Sequence, residues 1–251
     1  MLEPRSLKGR VAYFAGCGMN YLLPEAGEAT IDLILASGFS VVMTRNYCCG
    51  LLSQTLGDRD TALRLARGNL RLLNAQDVDA IVTDCASCSS FLKGYAGLLK
   101  DSEAFASSAE KFAAKVLDIT EFLAQLDPAP QPGALAIKVT YHDPCHASRY
   151  QGLQKEPRSA LQSIPGLELI EMEEADWCCG GAGLYSVTHP ELSQRILDRK
   201  MENAARTGAE VLVTSCPACI VQLSDGVRRH GLRMRVLHLS QVMGMAQPGG
   251  H

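Results

Sequence analysis

Residues 48–50 read Cys48-Cys49-Gly50, and residues 178–180 repeat them as Cys178-Cys179-Gly180. Each triplet is the centre of a longer pattern: one cysteine, about thirty residues, the triplet, about thirty-five residues and a C-x-x-C pair. The ten cysteines of the chain fall into these two sets with none left over: Cys17, Cys48, Cys49, Cys85, Cys88, and Cys145, Cys178, Cys179, Cys216, Cys219. Matching cysteines are 128 to 131 residues apart, which indicates a tandem duplication.

Length, charge and hydropathy exclude several classes of protein. The chain has 251 residues, enough for two small domains, and a net charge of -3, so no basic surface points to nucleic acid. Residues 1–5 lack the apolar core of a signal peptide, and no stretch reaches the ~20 apolar residues of a membrane span. We therefore expect a cytoplasmic protein. In a reducing compartment, ten cysteines favour metal binding or thiol chemistry over disulfides.

Short apolar runs place the cysteines of the first half after β-strands. Residues 11–15, 39–43 and 80–83 are predicted strands, and each precedes one or two of the cysteines. Helical spacing of apolar residues covers 24–37 and 58–75 between them. The predicted order is therefore strand, cysteine-bearing loop and helix.

The second half repeats this order. Strands are predicted at 137–141, 167–171 and 211–214, with a helix over 190–206. Alternating strands and helices predict an α/β fold of two tandem-duplicated halves, each a small parallel sheet flanked by helices. The cysteines then lie at the carboxyl ends of the strands, where such folds bind ligands.

A proline-rich segment separates the two copies. Residues 127–133 read DPAPQPG, a composition typical of a linker. We place the boundary near Pro132, which predicts a first half over 1–132 and a second over 133–251.

The number of cysteines favours an iron–sulfur centre over zinc. Zinc usually takes four ligands, and each half offers five. Adjacent cysteines reach two irons of a polynuclear cluster more easily than they chelate one ion. Gly50, Gly180 and Gly181 allow close backbone approach, and Cys85 and Cys216 are expected near helix N-termini, whose dipoles favour negative charge. Structural zinc domains that mediate assembly are the non-catalytic alternative.

The motifs also resemble a known family. Residues 142–146 (HDPCH), 178–183 (CCGGAG), 190–192 (PEL) and 214–219 (TSCPAC) resemble the CCG domains of heterodisulfide reductase and of the iron–sulfur subunits of glycolate and lactate dehydrogenases. The resemblance covers nearly the whole chain. It implies that the five cysteines of each half bind one noncubane [4Fe-4S] cluster, so that all ten cysteines are cofactor and metal ligands and two clusters are present.

The same resemblance implies a function. The chain is expected to be an electron-transfer subunit that takes electrons from a FAD-containing 2-hydroxy-acid (lactate or glycolate) dehydrogenase and passes them towards quinone or another acceptor. An alternative is a heterodisulfide reductase-like subunit that cleaves a disulfide at a noncubane cluster. No G-x-G-x-x-G dinucleotide motif or P-loop is present, so hydride chemistry is assigned to the partner.

Relatives of the glycolate and lactate group usually carry a ferredoxin-like module with C-x-x-C-x-x-C-x-x-x-C-P runs, and no such run occurs here. The chain is therefore expected to be either a short family member or a piece of a longer protein. A ferredoxin-like module is a candidate partner. Peripheral association with the inner face of the membrane would then come through partners.

Two histidines flank the first cysteine of the second half. His142 and His146 are candidates for hydrogen bonding to cluster sulfides, for proton donation to a substrate or for ligation. A structural role at a strand end explains His142 equally well. Trp177, which precedes Cys178, is a candidate apolar wall of the centre or a core residue.

Overall fold

A computed structural model describes residues 2, 7–127 and 131–247 of the chain. It divides the chain into two units, Met1–Phe122 and Leu123–His251. The predicted boundary at Pro132 falls near the start of the second unit, and residues 128–130 of the predicted linker lie outside the described residues.

The apolar runs of the first unit form a parallel sheet. Its strands are β1 (Gly9–Tyr13), β2 (Phe39–Met43), β3 (Ala80–Thr83) and β4 (Val116–Asp118). The spatial order is β2-β1-β3-β4, and every pair is parallel. Because both faces of such a sheet are covered, its strands carry continuous rather than alternating apolar residues.

Helices cover this sheet. They are α1 (Cys17–Leu22), α2 (Pro24–Ala36), α3 (Leu51–Thr55), α4 (Arg59–Asn74), α5 (Ala86–Lys93), α6 (Tyr95–Leu98), α7 (Ala106–Lys115) and α8 (Ile119–Ala124). Local signals set their starts: Pro24 occupies the first turn of α2, and the Asp58 side chain accepts from the Thr61 amide at the start of α4. The core between helices and sheet includes the fully buried Phe14, Leu92 and Phe112.

The second unit repeats the architecture. Its strands are β5 (Ile137–Tyr141), β6 (Leu167–Leu169), β7 (Val211–Thr214) and β8 (Arg235–His238). Their order, β6-β5-β7-β8, is the same, and all pairs are again parallel. The helices are α9 (Cys145–Gln151), α10 (Lys155–Gln162), α11 (Tyr185–Thr188), α12 (Pro190–Arg206), α13 (Pro217–Arg229) and α14 (Leu239–Met245). The predicted α/β fold with two duplicated halves is confirmed.

The strand prediction was incomplete at the sheet edges. The edge strands β4 and β8 were not predicted, and β6 ends at Leu169 rather than at residue 171. Strand β4 has only three residues and follows Lys115 directly, so its apolar run is too short to stand out. A segment this short becomes a strand because a neighbouring strand pairs with it: Val82 of β3 lies opposite Leu117.

The strand order places a topological switch point in each sheet. From β1 the chain moves to one side for β2, then returns past β1 for β3, so the order reverses between β1 and β3. Ligands of open α/β sheets bind at the carboxyl ends of the strands at such a switch point. The same reversal lies between β5 and β7. Within the described part of the chain, no helix is long and apolar enough to span a bilayer.

Candidate metal centres

In the first unit, three loops at the carboxyl edge of the sheet supply the five cysteines. Cys17 is the first residue of α1, and Cys85 is the N-cap of α5, with Cys88 in its first turn. Cys48 and Cys49 lie in the loop between β2 and α3. Cys17 is exposed, Cys48 is half-buried and the other three are buried. The predicted helix N-terminus at Cys85 is confirmed.

Contacts among the thiols join these cysteines into one cluster. The Cys88 amide donates to Cys85 Sγ over 3.4 Å. The pKa of Cys49 lies well below that of an ordinary thiol because Cys48 and Cys88 both donate hydrogen bonds to its sulfur. Donation to Cys48, together with burial, raises the pKa of Cys17. The Cys88 thiol also contacts Cys85, so each of the five sulfur atoms has at least one other as a neighbour, although the residues come from three separate loops.

Two glycines let the backbone approach this cluster. A Cβ on Gly16 would lie 3.1 Å from Cys88 Sγ and 3.4 Å from Cys85 Cβ, so the chain leaving β1 passes directly against the C-x-x-C pair. Gly50, the N-cap of α3, has a φ of 97°, a left-handed conformation that favours glycine. The glycine of the CCG triplet is thus required by the turn into α3.

A buried amide in α4 holds the CCG loop in place. Asn69 Oδ1 accepts from the Tyr47 amide over 2.8 Å, and its Nδ2 donates to the Cys48 carbonyl oxygen over 3.1 Å. Tyr95 adds a second clamp, because its hydroxyl donates to the Cys49 carbonyl oxygen over 2.5 Å. Sequence reasoning missed both residues, since a polar residue in an amphipathic helix is normally assigned to the solvent face.

The second unit assembles its five cysteines in the same way. Cys145 is the first residue of α9, Cys216 is the N-cap of α13, and Cys219 lies in its first turn. Cys178 and Cys179 lie in the loop between β6 and α11. The prediction that Cys216 lies at a helix N-terminus is confirmed.

Thiol contacts recur here. The Gly180 amide donates to Cys178 Sγ over 3.3 Å. The pKa of Cys179 lies well below the ordinary thiol value because Cys178 and Cys219 donate to its sulfur. Burial raises the pKa of Cys145, and the charges of Cys216 and Cys179 raise it further. Each of the five cysteines of this unit is therefore within electrostatic reach of at least two others.

The second CCG turn is packed more tightly than the first. Gly180 has a φ of 85°, and a Cβ there would lie 2.6 Å from the Ser193 carbonyl oxygen. Ser193 Oγ donates to the Gly180 carbonyl oxygen over 2.9 Å, and Gln222 Nε2 donates to Ser193 Oγ over 3.1 Å. Helices α12 and α13 therefore fix this turn through side-chain hydrogen bonds.

The structure brings both candidate histidines to the cysteines. His142 is 1% exposed, and its imidazole helps to lower the pKa of Cys179 through a hydrogen bond. One of its ring nitrogens lies within 4.8 Å of Sγ of Cys179 and of Cys219. His146 Nδ1 is 3.5 Å from Cys145 Sγ, its ring stacks on Tyr150, and burial lowers its pKa.

Two charged residues lie buried behind this centre, and the sequence did not point to the first of them, Lys200. Lys200 of α12 is fully buried, and its Nζ donates to the backbone oxygens of Glu174 and Ala175, which precede the CCG triplet. Burial lowers the pKa of Lys200 to about 8. Asp143 is also buried and receives two hydrogen bonds of 2.8 and 2.9 Å from Arg158. A lysine in a polar helix gives no local signal that it is buried.

Trp177 lies beside the second CCG triplet and is half-buried. The Arg199 guanidinium covers its ring at 4.3 Å from the ring centroid. This stacking keeps one face of the indole away from solvent. Its role as a wall of the centre stays a prediction.

The donor set fits a polynuclear iron–sulfur cluster. All ten cysteines are free thiols, and each unit gathers five of them, one more than a tetrahedral zinc ion takes. Soft thiolates select zinc, copper(I) or iron–sulfur clusters among biological metals. His142 is buried with a ring nitrogen within 4.8 Å of two of the thiols, so it would supply a hydrogen-bond donor to such a cluster.

Comparison with known proteins bears on the identity of both units. A family profile described as a cysteine-rich domain, CCG, matches residues 11–93 and 139–224. The chain is 37% identical over 98% of its length to the probable glycolate oxidase iron-sulfur subunit of Bacillus subtilis. It is 34% identical over 94% of its length to a fumarate reductase (CoM/CoB) subunit of Methanothermobacter marburgensis. These alignments cover 56% and 46% of those proteins, so the chain spans about half their length.

A shorter relative is matched over most of its own length. The chain is 28% identical to lactate utilization protein A of Exiguobacterium, and the alignment covers 93% of the chain and 96% of that protein. Among solved structures, a hypothetical protein from Helicobacter pylori superimposes with a TM-score of 0.67, over 98% of this chain and 50% of that one. Its 11% identity supports the fold alone.

Proposed function

The chain belongs to the family of CCG cysteine-rich domains, and from this membership and the geometry of its thiols we propose that it is an iron–sulfur electron-transfer subunit. Each unit would hold one cluster through its five cysteines. The observation that carries the proposal is the convergence of five free thiols from three loops in both units. A bound iron–sulfur cluster would supply reversible one-electron chemistry.

The cysteine arrangement supports a noncubane [4Fe-4S] type. Cys49 and Cys179 each accept hydrogen bonds from two neighbouring thiols, one in their own CCG triplet and one in the C-x-x-C pair. Central sulfurs of this kind support a cluster with more than four thiolate ligands, since five ligands exceed the four of a cubane. The chain's own contribution is to orient the thiols and to donate backbone amides, as Cys88 and Gly180 do.

The names of the relatives support a role in 2-hydroxy-acid oxidation. Two of them are named as a glycolate oxidase iron-sulfur subunit and a lactate utilization protein. In this proposal, the chain takes electrons from a flavoprotein dehydrogenase that has FAD as its cofactor, and it delivers them towards quinone or another acceptor. A cytoplasmic location, with peripheral attachment to the membrane through partners, belongs to the same proposal.

A disulfide reductase-like activity is the second candidate. The exposure of Cys17 favours it, because a substrate thiolate would need solvent access to one edge of the centre. One relative of the chain is named as a subunit of a fumarate reductase (CoM/CoB), a reductase and not a hydroxy-acid oxidase, and this name also supports the second candidate. Purified protein with an artificial electron donor would then reduce a mixed disulfide, whereas a pure electron-transfer protein would not.

The first test is the content of iron, zinc and acid-labile sulfide in anaerobically purified or reconstituted protein. About eight irons with matching sulfide per chain are expected for two four-iron clusters. Cys49→Ser and Cys179→Ser should each remove about half of that iron. Zinc at about one to two per chain without labile sulfide would instead identify a zinc assembly module.

The second test separates the relay from its partner. In a reconstituted complex, Cys179→Ser should abolish electron flow to the acceptor while the partner's dye-linked oxidation of lactate or glycolate continues. Unchanged electron flow in this variant would contradict the proposal.

A further inference from the structure

The two centres stand on matched frameworks. Phe14 and His142 each follow the last residue of their strand, and their amides donate to Val82 and Val213 of the adjacent strands over 2.8 and 2.9 Å. Phe14 and His142 are therefore equivalent positions in the two units, at the same distance along the same element. A fully buried phenyl ring in the first unit corresponds to a buried imidazole in the second.

A second pair differs in the same direction. Asn69 is the eleventh residue of α4 and Lys200 is the eleventh residue of α12, and both are fully buried. Each donates to backbone oxygens of the loop that carries its CCG triplet or leads to it. The structural task is thus shared, but only the second unit performs it with an ammonium group, whose charge acts on Cys179.

In a third pair of equivalent positions, the charged group lies in the first unit and is acidic. Strands β1 and β5 each end in a tyrosine. In each unit this tyrosine forms a hydrogen bond with the residue that directly precedes the C-x-x-C pair. Tyr13 donates to the Asp84 carboxyl group over 2.7 Å, whereas Tyr141 contacts the Ser215 hydroxyl over 3.1 Å. At this position the first unit therefore buries a carboxyl group where the second has a neutral hydroxyl, and the buried carboxylate that the second unit does hold, Asp143, is paired with Arg158.

With the charge of Asp143 offset by Arg158, these three differences favour added negative charge in the second unit. Reduction makes a thiolate-bound cluster more negative, so N–H donors and buried cations raise its potential, and carboxyl groups lower it. His142 offers an N–H donor, and one of its ring nitrogens lies within 4.8 Å of Sγ of Cys179 and of Cys219. A neutral imidazole suffices for this role, because one of its nitrogens always carries a proton.

We propose that the two centres differ in reduction potential and that the centre of the Leu123–His251 unit is reduced first, with His142 and Lys200 as the residues that raise its potential. This inference rests on the proposed function, since it requires a cluster in each unit. The first electron from a reductant such as dithionite then resides on the second centre, and the second electron reduces the first centre.

The experiment is a redox titration of the anaerobic full-length chain with dithionite, followed by electron paramagnetic resonance. Cys49→Ser leaves the second centre for measurement, and Cys179→Ser leaves the first. The expected result is a higher midpoint potential in the Cys49→Ser protein. Equal potentials, or the reverse order, with iron bound in both variants would overturn the inference alone. Absence of iron and sulfide from the wild-type protein would overturn the proposed function with it.

Exchange of the matched residues tests the cause. In the Cys49→Ser protein, His142→Phe should shift the electron equilibrium of the remaining centre by about tenfold towards the oxidised form, or about 59 mV for one electron. His142→Asn keeps an N–H donor, so its potential should lie between those of the His142→Phe variant and of the protein that keeps His142. Lys200→Asn should also lower the potential. Phe14→His in the Cys179→Ser protein should raise the potential of the first centre. Iron content measured alongside separates a change in potential from loss of the centre, and unchanged potentials in loaded variants would overturn the assignment of these residues.

Discussion

Replacement of Asn69 by alanine should destabilise the first unit through the loop that carries Cys48 and Cys49. Asn69 is fully buried, and its side-chain amide makes three hydrogen bonds, to the Tyr47 amide, the Cys48 carbonyl oxygen and the Tyr95 hydroxyl. The alanine variant removes the partner of one backbone donor and one backbone acceptor of the loop. Because a methyl group can neither donate nor accept a hydrogen bond, the loop loses its attachment to α4.

The magnitude follows from these contacts. A buried polar group that loses its partner costs about 1–3 kcal/mol, and two backbone groups of the loop lose theirs. We expect a loss of about 3 kcal/mol in the free energy of unfolding. Asn74→Ala in the same helix is the matched control, because Asn74 is exposed and makes one hydrogen bond of 3.3 Å to the Ser108 carbonyl oxygen. Asn69 lies inside α4 and Asn74 at its end, so the gain in helix propensity on substitution by alanine is larger at position 69 and works against the expected loss.

The assay is urea unfolding of the reduced protein under anaerobic conditions, with iron content measured on the loaded form. Asn69→Ala should unfold at a lower urea concentration than Asn74→Ala and should lose iron from the first centre before the second. Equal midpoints for the two variants would refute the argument that the buried amide holds the CCG loop.

Three further predictions concern other parts of the molecule. Asp118 is fully buried, and burial raises its pKa to about 6. The contribution of this raised pKa to the free energy of unfolding is therefore fully present below pH ~4, where the carboxyl group is protonated, and is lost as the pH rises through ~6. Asp118→Asn should therefore gain up to about 3 kcal/mol over the wild-type protein between pH 4 and 8 in denaturant titrations, whereas parallel pH profiles would contradict this. Gly180→Ala places a Cβ 2.6 Å from the Ser193 carbonyl oxygen. It should lower the thermal midpoint far more than Gly208→Ala, a control at a glycine that also has a positive φ but where a Cβ meets no atom within 4 Å. Similar midpoints for the two variants would show that the contact with Ser193 is relieved without cost. Removal of iron with a chelator should lower the melting temperature of the loaded protein, since a ligand that binds only the folded state stabilises it, and an unchanged calorimetric scan would argue against binding within the fold.

Much of the fold was predictable because its signals are local. The runs that became β1, β2, β3, β5 and β7 are short, apolar and bounded by turn residues, as buried parallel strands usually are. The edge strand Val116–Asp118 lacked such a signal, since only its pairing with β3 makes it a strand. Helix starts at Cys85 and Cys216 were also predictable, because a strand followed by C-x-x-C places the next helix close behind.

By itself, the sequence determined that the chain is duplicated, that each half carries five thiols and that these thiols follow the strands of a parallel sheet. Spacing alone decides those properties, because parallel strands bring their carboxyl ends to one edge wherever the loops begin. Only the tertiary structure decided which polar residues stand behind the thiols. Asn69 and Lys200 are buried because segments distant in sequence close over them, and no local pattern of residues records that burial, whereas the position of His142 beside Cys145 already made it a candidate.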